Sequence, residues 1–192
     1  EGIFHFVNFT VIASIVYLFN NIKDYRSDTN NKKLRYSINT EHLRGYYIFG
    51  VAILSFQLII LLLFAQEVII VCLLYFLLSI SYNYYFKQKK YLDIIIISIF
   101  HLLRIYYGSL AFEIGLSFYF VLFCLAIFLM ISANKRISEI YKEYENRPYK
   151  IIDKRILEIV QLFFGVFAML IFLIYLFDSS KNQFFINHYY LY

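Results

Sequence analysis

The chain has 192 residues, of which 61% are hydrophobic and 22% aromatic, and it carries a formal net charge of +5. So high an apolar fraction excludes an ordinary soluble globular domain and indicates a protein that lies in lipid. The positive charge does not require a nucleic-acid partner, because nearly all basic residues lie between apolar runs, as they do in membrane proteins.

Six apolar runs approach the length that crosses a hydrocarbon core of about 30 Å. They are residues 3–19, 46–64, 68–85, 93–112, 116–133 and 156–177. Because no alternating strand pattern runs through them, helices must satisfy the backbone in lipid. We therefore expect an all-α, multi-pass membrane bundle that forms a single transmembrane domain over residues 1–192. We also expect further helices before the first residue, which is not Met, and after the apolar stretch 184–192.

The basic residues are distributed unevenly along the chain. Sixteen of the 18 lie in residues 20–45, 86–91 and 134–155, which are alternate connections between the spans and therefore share one side of the membrane. Cytoplasmic loops retain Lys and Arg. We therefore expect these three segments in the cytoplasm, and we expect the protein in a bacterial inner membrane.

At the end of the first span, Asn20, Asp24 and Asp28 recur every four residues. At 100° per residue these positions lie within about 80° on one helical face, so their oxygen atoms can converge. Oxygen ligands of this kind suit Mg²⁺ that is shared with substrate phosphates. The alternative is a solvated helix end whose acids pair with neighbouring basic residues. A diphosphate would recruit the basic residues that follow, which are Lys32, Lys33 and Arg35.

The fourth span carries a stripe of polar and small residues on one helical face. Its members lie within about 80° of one another; they are Asp93, His101, Arg104, Gly108 and Ala111. Arg104 lies ~16 Å along the helix from Asp93, near mid-bilayer, where an arginine that faces lipid costs several kcal/mol. We expect it to face the bundle and to contact either an anionic ligand or an acid on another helix. His101 is expected to be a packing residue.

The segment after the fifth span repeats the four-residue spacing with Lys135, Glu139 and Glu143. This spacing predicts a second polar face on the same side of the membrane, although Lys135 and Glu139 would also form an ordinary surface pair. Cys72 and Cys124 lie in the middle of spans, where we expect small apolar packing residues rather than a disulfide or a metal site.

The stretch from Tyr17 to Asp28, YLFNNIKDYRSD, with the basic cluster after it, resembles the first Asp-rich motif, NDxxDxxxD, of the UbiA-type intramembrane prenyltransferase superfamily. Later residues resemble the decaprenyl-phosphate phosphoribosyltransferase-like branch in order and spacing. These are Tyr82, Lys87 with Asp93, Arg104 with Gly108, Ser117, Lys135-Arg136 with Glu139, and Arg147. Two departures are Asn21 in place of the motif's second-position Asp and Tyr36-Ser37 in place of Arg-Pro.

The resemblance implies a bundle of about nine helices, of which the six spans form part, around a cavity that opens to the cytoplasm. It implies Mg²⁺ bound by Asn20, Asp24 and Asp28, with Asp24, Asp28 and Arg104 in catalytic roles. The implied substrates are phosphoribosyl pyrophosphate and a polyprenyl phosphate. The implied substrate-binding residues are Lys32, Lys33, Arg35, Tyr82, Lys87, Lys135, Arg136, Glu139 and Arg147.

Two alternatives to this activity stay open. Within the superfamily, the alternative is transfer of a prenyl chain from its diphosphate to an aromatic or quinone-precursor acceptor. Outside the superfamily, the alternative is a transporter or a non-catalytic membrane scaffold. The spans contain no internal Pro and the chain has only six Gly, whereas transporter folds often break their spans with these residues.

Overall fold

The computed structural model describes the backbone of residues 2–30, 43–141 and 148–177, and their side chains except those of residues 24–30. The helices are α1 Gly2–Asn30, α2 Leu43–Phe64, α3 Gln66–Ser81, α4 Leu92–Ala111, α5 Phe118–Tyr141 and α6 Lys154–Phe177. A π-helical turn, Tyr82–Phe86, continues α3, and a 3₁₀ turn, Ile151–Asp153, precedes α6. Within these ranges there is no strand, and six helices are long and apolar enough to span a membrane. The expected all-α fold is confirmed, and the six long apolar helices fit the expected multi-pass membrane protein.

Each predicted span matches one helix, except that the third, residues 68–85, runs from α3 into the π turn. Two helices also run past the apolar residues that predicted them. α1 continues to Asn30 and α5 continues to Tyr141, through charged residues of which Lys, Arg and Glu favour helix. Hydropathy marks where the lipid ends, whereas a helix ends where its backbone hydrogen-bond pattern stops. Both extensions lie at the same end of the bundle, which is also the end that carries most of the positive charge.

The helices pack mainly on their neighbours in sequence, and α1 also contacts α3 and α4. Two buried apolar clusters result, and α4 contributes to both. The first cluster includes Ile12 of α1, Leu61 of α2 and Tyr107 of α4. The second includes Ile94 of α4 and Leu157 of α6. Because α4 lies between the two clusters, its polar stripe is bordered by helices on both sides.

We call the end at which α1, α3 and α5 finish the basic end; its described basic residues include Lys23, Lys87, Lys89, Lys90, Lys135 and Arg136. At the opposite end, polar contacts join α1 to α2 and α4. The Gln57 amide donates to Asn8 Oδ1, and the Tyr107 hydroxyl donates to the His5 carbonyl at 3.2 Å. Hydrogen bonds between buried polar groups thus join α1 to α2 and α4 at this end.

Candidate functional site

A buried ion-pair network joins the π turn, α4 and α5 at the basic end. Arg136 Nε lies 2.5 Å from Asp93 Oδ2, and Arg136 Nη2 donates to Asp93 Oδ1 at 3.0 Å. Arg136 Nη1 donates to Glu139 Oε2 at 2.5 Å, and the Tyr82 hydroxyl donates to Asp93 Oδ1 at 2.6 Å. Asp93 is 0% exposed and Arg136 is 1% exposed. The guanidinium of Arg136 therefore lies between two carboxylates, out of contact with solvent.

Local sequence places each member of this network. Glu139 follows Arg136 by three residues on α5, so the two side chains share one helical face. Asp93 is the second residue of α4, where a negative charge is also favoured by the partial positive charge of the helix N-terminus. Such a pair repays its desolvation only when its hydrogen bonds are complete. Tyr82 contributes one of these bonds from the π turn.

Arg104 lies in the middle of α4 and points towards α1 and α3. Its Nη2 donates to the Tyr75 hydroxyl at 2.9 Å and to the Tyr17 hydroxyl at 3.4 Å. Its Nε is buried without a hydrogen-bond partner in the described part of the chain. No described carboxylate lies within ion-pair distance of it. The inward orientation predicted for Arg104 is confirmed, and the acid partner considered as an alternative is not found among the described residues.

The polar stripe of α4 divides between the helices on either side. Asp93 contacts α5 through Arg136, whereas Arg104 contacts α1 and α3. His101 stacks on Phe128 of α5, with ring centroids 4.7 Å apart. This contact supports the packing role predicted for His101. Asp93, the one acid on the stripe, therefore pairs with Arg136 of α5 and does not pair with Arg104.

Cys72 and Cys124 are both buried, and both are free thiols. Cys72 belongs to the cluster that joins α1 to α4. The packing role predicted for the two cysteines agrees with this placement.

The end of α1 lies against the π turn. Lys23 Nζ donates to the Asn83 carbonyl and lies 3.7 Å from the centroid of the Tyr84 ring. Asn20, one turn earlier on α1, has a buried side-chain Oδ1 without a hydrogen-bond partner in the described ranges, and so does Asn83. Two amide oxygens thus lack partners on two segments that contact each other.

These oxygen atoms fit a hard cation such as Mg²⁺, which prefers oxygen ligands. The unbroken α1 backbone places positions 20, 24 and 28 on one helical face, as predicted. The side chains of Asp24 and Asp28 lie outside the described residues. Among the described residues, no group of three His, Cys, Asp or Glu side chains is placed to hold a metal ion. Of the three predicted metal ligands, Asn20 alone has a described side chain, and the metal site stays a prediction.

No protein-family model matches the chain, and no curated protein matches it. The resemblance to the UbiA-type superfamily therefore depends on the residues of this chain alone, and it stays a hypothesis.

Four of the predicted substrate-binding residues lie outside the described ranges: Lys32, Lys33, Arg35 and Arg147. Tyr82, Arg136 and Glu139 belong to the ion-pair network. Lys87 is partly buried beside the π turn, and Lys135 is exposed on α5. The structure thus brings five of the predicted residues to one end of the bundle. Their contact with a substrate stays a prediction.

Sequence reasoning did not assign a role to Tyr17, Tyr75 or Asn83. The chain contains 20 Tyr, and no spacing distinguishes the two that contact Arg104. A signal for Asn83 does exist in the sequence, because it is an amide side chain that follows Tyr82 directly at the end of an apolar run. The structure adds that Asn83 lies in the π turn, and π turns are rare and often occur at functional sites.

Proposed function

We propose that this protein is a Mg²⁺-dependent intramembrane transferase that transfers phosphoribose from phosphoribosyl pyrophosphate to a polyprenyl phosphate. The observation that supports this most is the environment of Arg104, a cation in the middle of a span. Its hydrogen-bond partners are the neutral hydroxyls of Tyr75 and Tyr17. A charge in this position calls for an anion, and the phosphate of a lipid would supply one.

The surroundings of Arg136, in the same bundle, differ from those of Arg104. Arg136 is 1% exposed and contacts two carboxylates, those of Asp93 and Glu139. Arg104 is only partly buried, and Tyr17 beside it is 55% exposed. A ligand can therefore approach Arg104 from the α1 side but cannot reach Arg136. We assign phosphate binding to Arg104 and a positioning role to Arg136.

A polyprenyl phosphate suits this place because its isoprenoid tail is soluble in lipid while its phosphate is not. A guanidinium binds phosphate through two parallel N–H donors. Arg104 Nε has no partner in the described part of the chain, so it is free to donate. Tyr75, which is 2% exposed, fixes Nη2 and so orients the fork.

The metal site and the lipid site adjoin each other along α1. Tyr17 contacts Arg104 and precedes Asn20 by three residues, so the two side chains are neighbours on one helical face. A diphosphate held near Asn20 would therefore lie about one turn from a phosphate held by Arg104. Asn20, Asp24, Asp28 and Asn83 are the residues that would hold Mg²⁺. When bound, Mg²⁺ would neutralise the charge that develops on the departing diphosphate.

The transfer breaks the bond between ribose C1 and the pyrophosphate oxygen, and it forms a bond between C1 and an oxygen of the lipid phosphate. The electron pair of the broken bond leaves with pyrophosphate. The attacking phosphate is already anionic, so the step needs no general base. Arg104 orients this phosphate towards C1. The residues proposed to bind the donor's phosphates and ribose are Lys32, Lys33, Arg35, Lys87, Lys135 and Arg147.

We also propose that the basic end faces the cytoplasm. The positive-inside distribution of Lys and Arg supports this orientation. A soluble sugar diphosphate would then reach the site from the same side on which the basic residues lie.

The experiment that tests the function supplies purified protein in lipid nanodiscs with two substrate pairs. One pair is phosphoribosyl pyrophosphate with a polyprenyl phosphate, and the other is a prenyl diphosphate with an aromatic acid. We expect a new phosphoribosylated lipid with the first pair, only when Mg²⁺ is present. Product from the second pair alone would replace the proposal with prenyl transfer, and no product from either pair would favour a transporter or a scaffold.

A further inference from the structure

A buried histidine, His5 of α1, lies at the end of the bundle opposite the basic end. It is 7% exposed. Its ring contacts a titratable side chain on each of two other helices, Glu67 of α3 and Tyr107 of α4. On the α2 side, the Gln57 amide donates to Asn8, and neither amide titrates. His5 therefore lies where three helices meet, between one acid and one hydroxyl.

The Tyr107 hydroxyl determines which ring nitrogen of His5 carries the proton. It donates to the His5 carbonyl at 3.2 Å, and it also lies 3.4 Å from His5 Nδ1. A carbonyl oxygen can only accept, and a hydroxyl has one proton to donate. The hydroxyl is therefore the acceptor in its contact with the ring, so these hydrogen bonds assign the proton of the neutral imidazole to Nδ1. Nε2 is then left with a lone pair and no proton.

His5 Nε2 faces the carboxylate of Glu67. Nε2 and Glu67 Oε1 are 4.0 Å apart, which is longer than a hydrogen bond of about 2.7–3.2 Å. In the neutral form both atoms are acceptors, so no hydrogen bond can join them. A proton on Nε2 turns the same contact into a charge-assisted hydrogen bond. The Glu67 side chain is 51% exposed, so a proton can reach the pair from water.

Two further titratable groups lie at this end of the bundle. Cys72 of α3 is buried in the cluster that contains Tyr107, and Glu113 is exposed in the turn after α4. Among the described residues, Glu67 is the one carboxylate within ion-pair distance of His5. Glu67 also lies in the first turn of α3, where the partial positive charge of the helix N-terminus favours a carboxylate.

We propose that His5 and Glu67 form a proton-binding site that fastens α1 to α3 at this end of the bundle. The proton binds between Nε2 and Oε1 as the pH falls through the range in which histidine titrates, and it leaves as the pH rises. The bond between the helices is therefore present at low pH and absent at high pH. α1 and α3 also carry Tyr17 and Tyr75, so the site joins the two helices that contact Arg104. Proton binding here is independent of the proposed transfer.

The nitrogen NMR spectrum of protein with isotope-labelled histidine, in lipid nanodiscs, reports the protonation of each ring nitrogen. The chain has four His, and His5→Gln identifies the signals of His5. At about pH 8 we expect a proton on Nδ1 and none on Nε2, and at about pH 5.5 we expect a proton on both. A neutral ring with its proton on Nε2, or a ring that stays neutral at about pH 5, would overturn the site.

Tyr107→Phe tests the assignment of the proton, because it removes the hydroxyl that accepts from Nδ1 and keeps the buried ring. Tyr106→Phe is the control, since Tyr106 is the neighbouring tyrosine of α4 and is 47% exposed. We expect the proton of the neutral ring to move to Nε2 in Tyr107→Phe, where Glu67 can accept it, and to stay on Nδ1 in Tyr106→Phe. An unchanged position of the proton in Tyr107→Phe would overturn the assignment.

Glu67→Gln tests the partner, because it removes the charge and keeps the size of a half-exposed side chain. Glu113→Gln is the matched control, since it makes the same change at an exposed acid of the same end. In thermal unfolding we expect Glu67→Gln to lower the midpoint by about 2–6 °C more at about pH 5.5 than at about pH 8, because the bond exists only when His5 is protonated. Glu113→Gln should show no such difference. A loss in Glu67→Gln that is the same at both pH values would overturn the proposal.

Discussion

Asp93 of α4 forms its ion pair with Arg136 of α5, across a distance of 2.5 Å, and not with Arg104 of its own helix. Arg136 and Arg104 therefore have different surroundings. One is neutralised by carboxylates and excluded from solvent, whereas the other is held by hydroxyl groups and accessible from one side. The proposed chemistry follows from this difference.

Asp93→Asn should destabilise the protein by about 1–3 kcal/mol, because Arg136 and Tyr82 lose the charged acceptor of their hydrogen bonds while Glu139 still balances the guanidinium. Unfolding of the detergent-solubilised protein, followed by circular dichroism against denaturant, measures this loss. Glu158→Gln is the control, since Glu158 is an exposed acid on α6 whose distance to Lys154 is 3.7 Å; there we expect less than about 1 kcal/mol. Equal losses in the two variants would show that the buried network does not stabilise the fold.

Gly50→Ala should weaken the packing of α1 on α2. A Cβ added at Gly50 would lie 2.8 Å from Phe19 Cε1, so the ring must move. Overpacking of this kind costs about 1–3 kcal/mol. Gly45→Ala is a matched control on the same helix, because nothing lies within 4 Å of its added Cβ, and the higher helix propensity of Ala should stabilise α2 by up to about 1 kcal/mol. Thermal unfolding would contradict the packing described here if both variants shifted the midpoint in the same direction by the same amount.

Tyr75→Phe should reduce the affinity for a lipid phosphate by about tenfold, because Arg104 loses the hydroxyl that orients its Nη2. The ring and its packing in the first cluster are kept, so the fold should persist. Tyr106→Phe is the control, as Tyr106 lies on α4 and is 47% exposed. Equilibrium binding of a polyprenyl phosphate in nanodiscs measures both, and an unaltered affinity in Tyr75→Phe would remove Tyr75 from the site.

Asn83→Ala should raise the Mg²⁺ concentration required for half-maximal transfer several-fold, because it would remove one of the proposed oxygen ligands and leave the proposed carboxylate ligands unchanged. Mn²⁺ binding followed by electron paramagnetic resonance checks the same change without substrate. Asn134→Ala serves as the control, since Asn134 is an exposed amide at the basic end of α5. Identical Mn²⁺ affinity in wild type and Asn83→Ala would exclude Asn83 as a ligand.

Much of the fold could be predicted because the lipid requires apolar runs of a fixed length, and each of the six predicted spans matches one helix, the third together with the π turn. The ends of α1 and α5 could not be predicted from hydropathy, since charged residues continue both helices beyond the lipid. The π turn and Tyr91, which has a positive φ, are hydrogen-bonded to Lys23 and Tyr149, which lie far away in sequence. Local patterns contain no information on such contacts.

Part of the candidate site could be predicted, because charged residues are rare within membrane spans. Arg104 stood out for that reason, and its inward orientation followed from the cost of placing a cation in lipid. Its partners were not predictable, because a tyrosine among 20 in an apolar sequence has no distinctive spacing. The choice of Asp93 by Arg136 depends on how α4 and α5 pack, which a single sequence does not specify.

The proposed function depends above all on Arg104, and binding of a polyprenyl phosphate measured by native mass spectrometry tests it most directly. Arg104→Gln removes the cation but keeps a hydrogen-bond donor, and Arg155→Gln removes an exposed cation at the basic end as a control. A charge-assisted pair worth about 1.5–3 kcal/mol predicts that Arg104→Gln binds the lipid phosphate about 10- to 100-fold more weakly, with Arg155→Gln close to wild type. Equal affinity in wild type and Arg104→Gln would contradict the account, because the anion would then bind elsewhere.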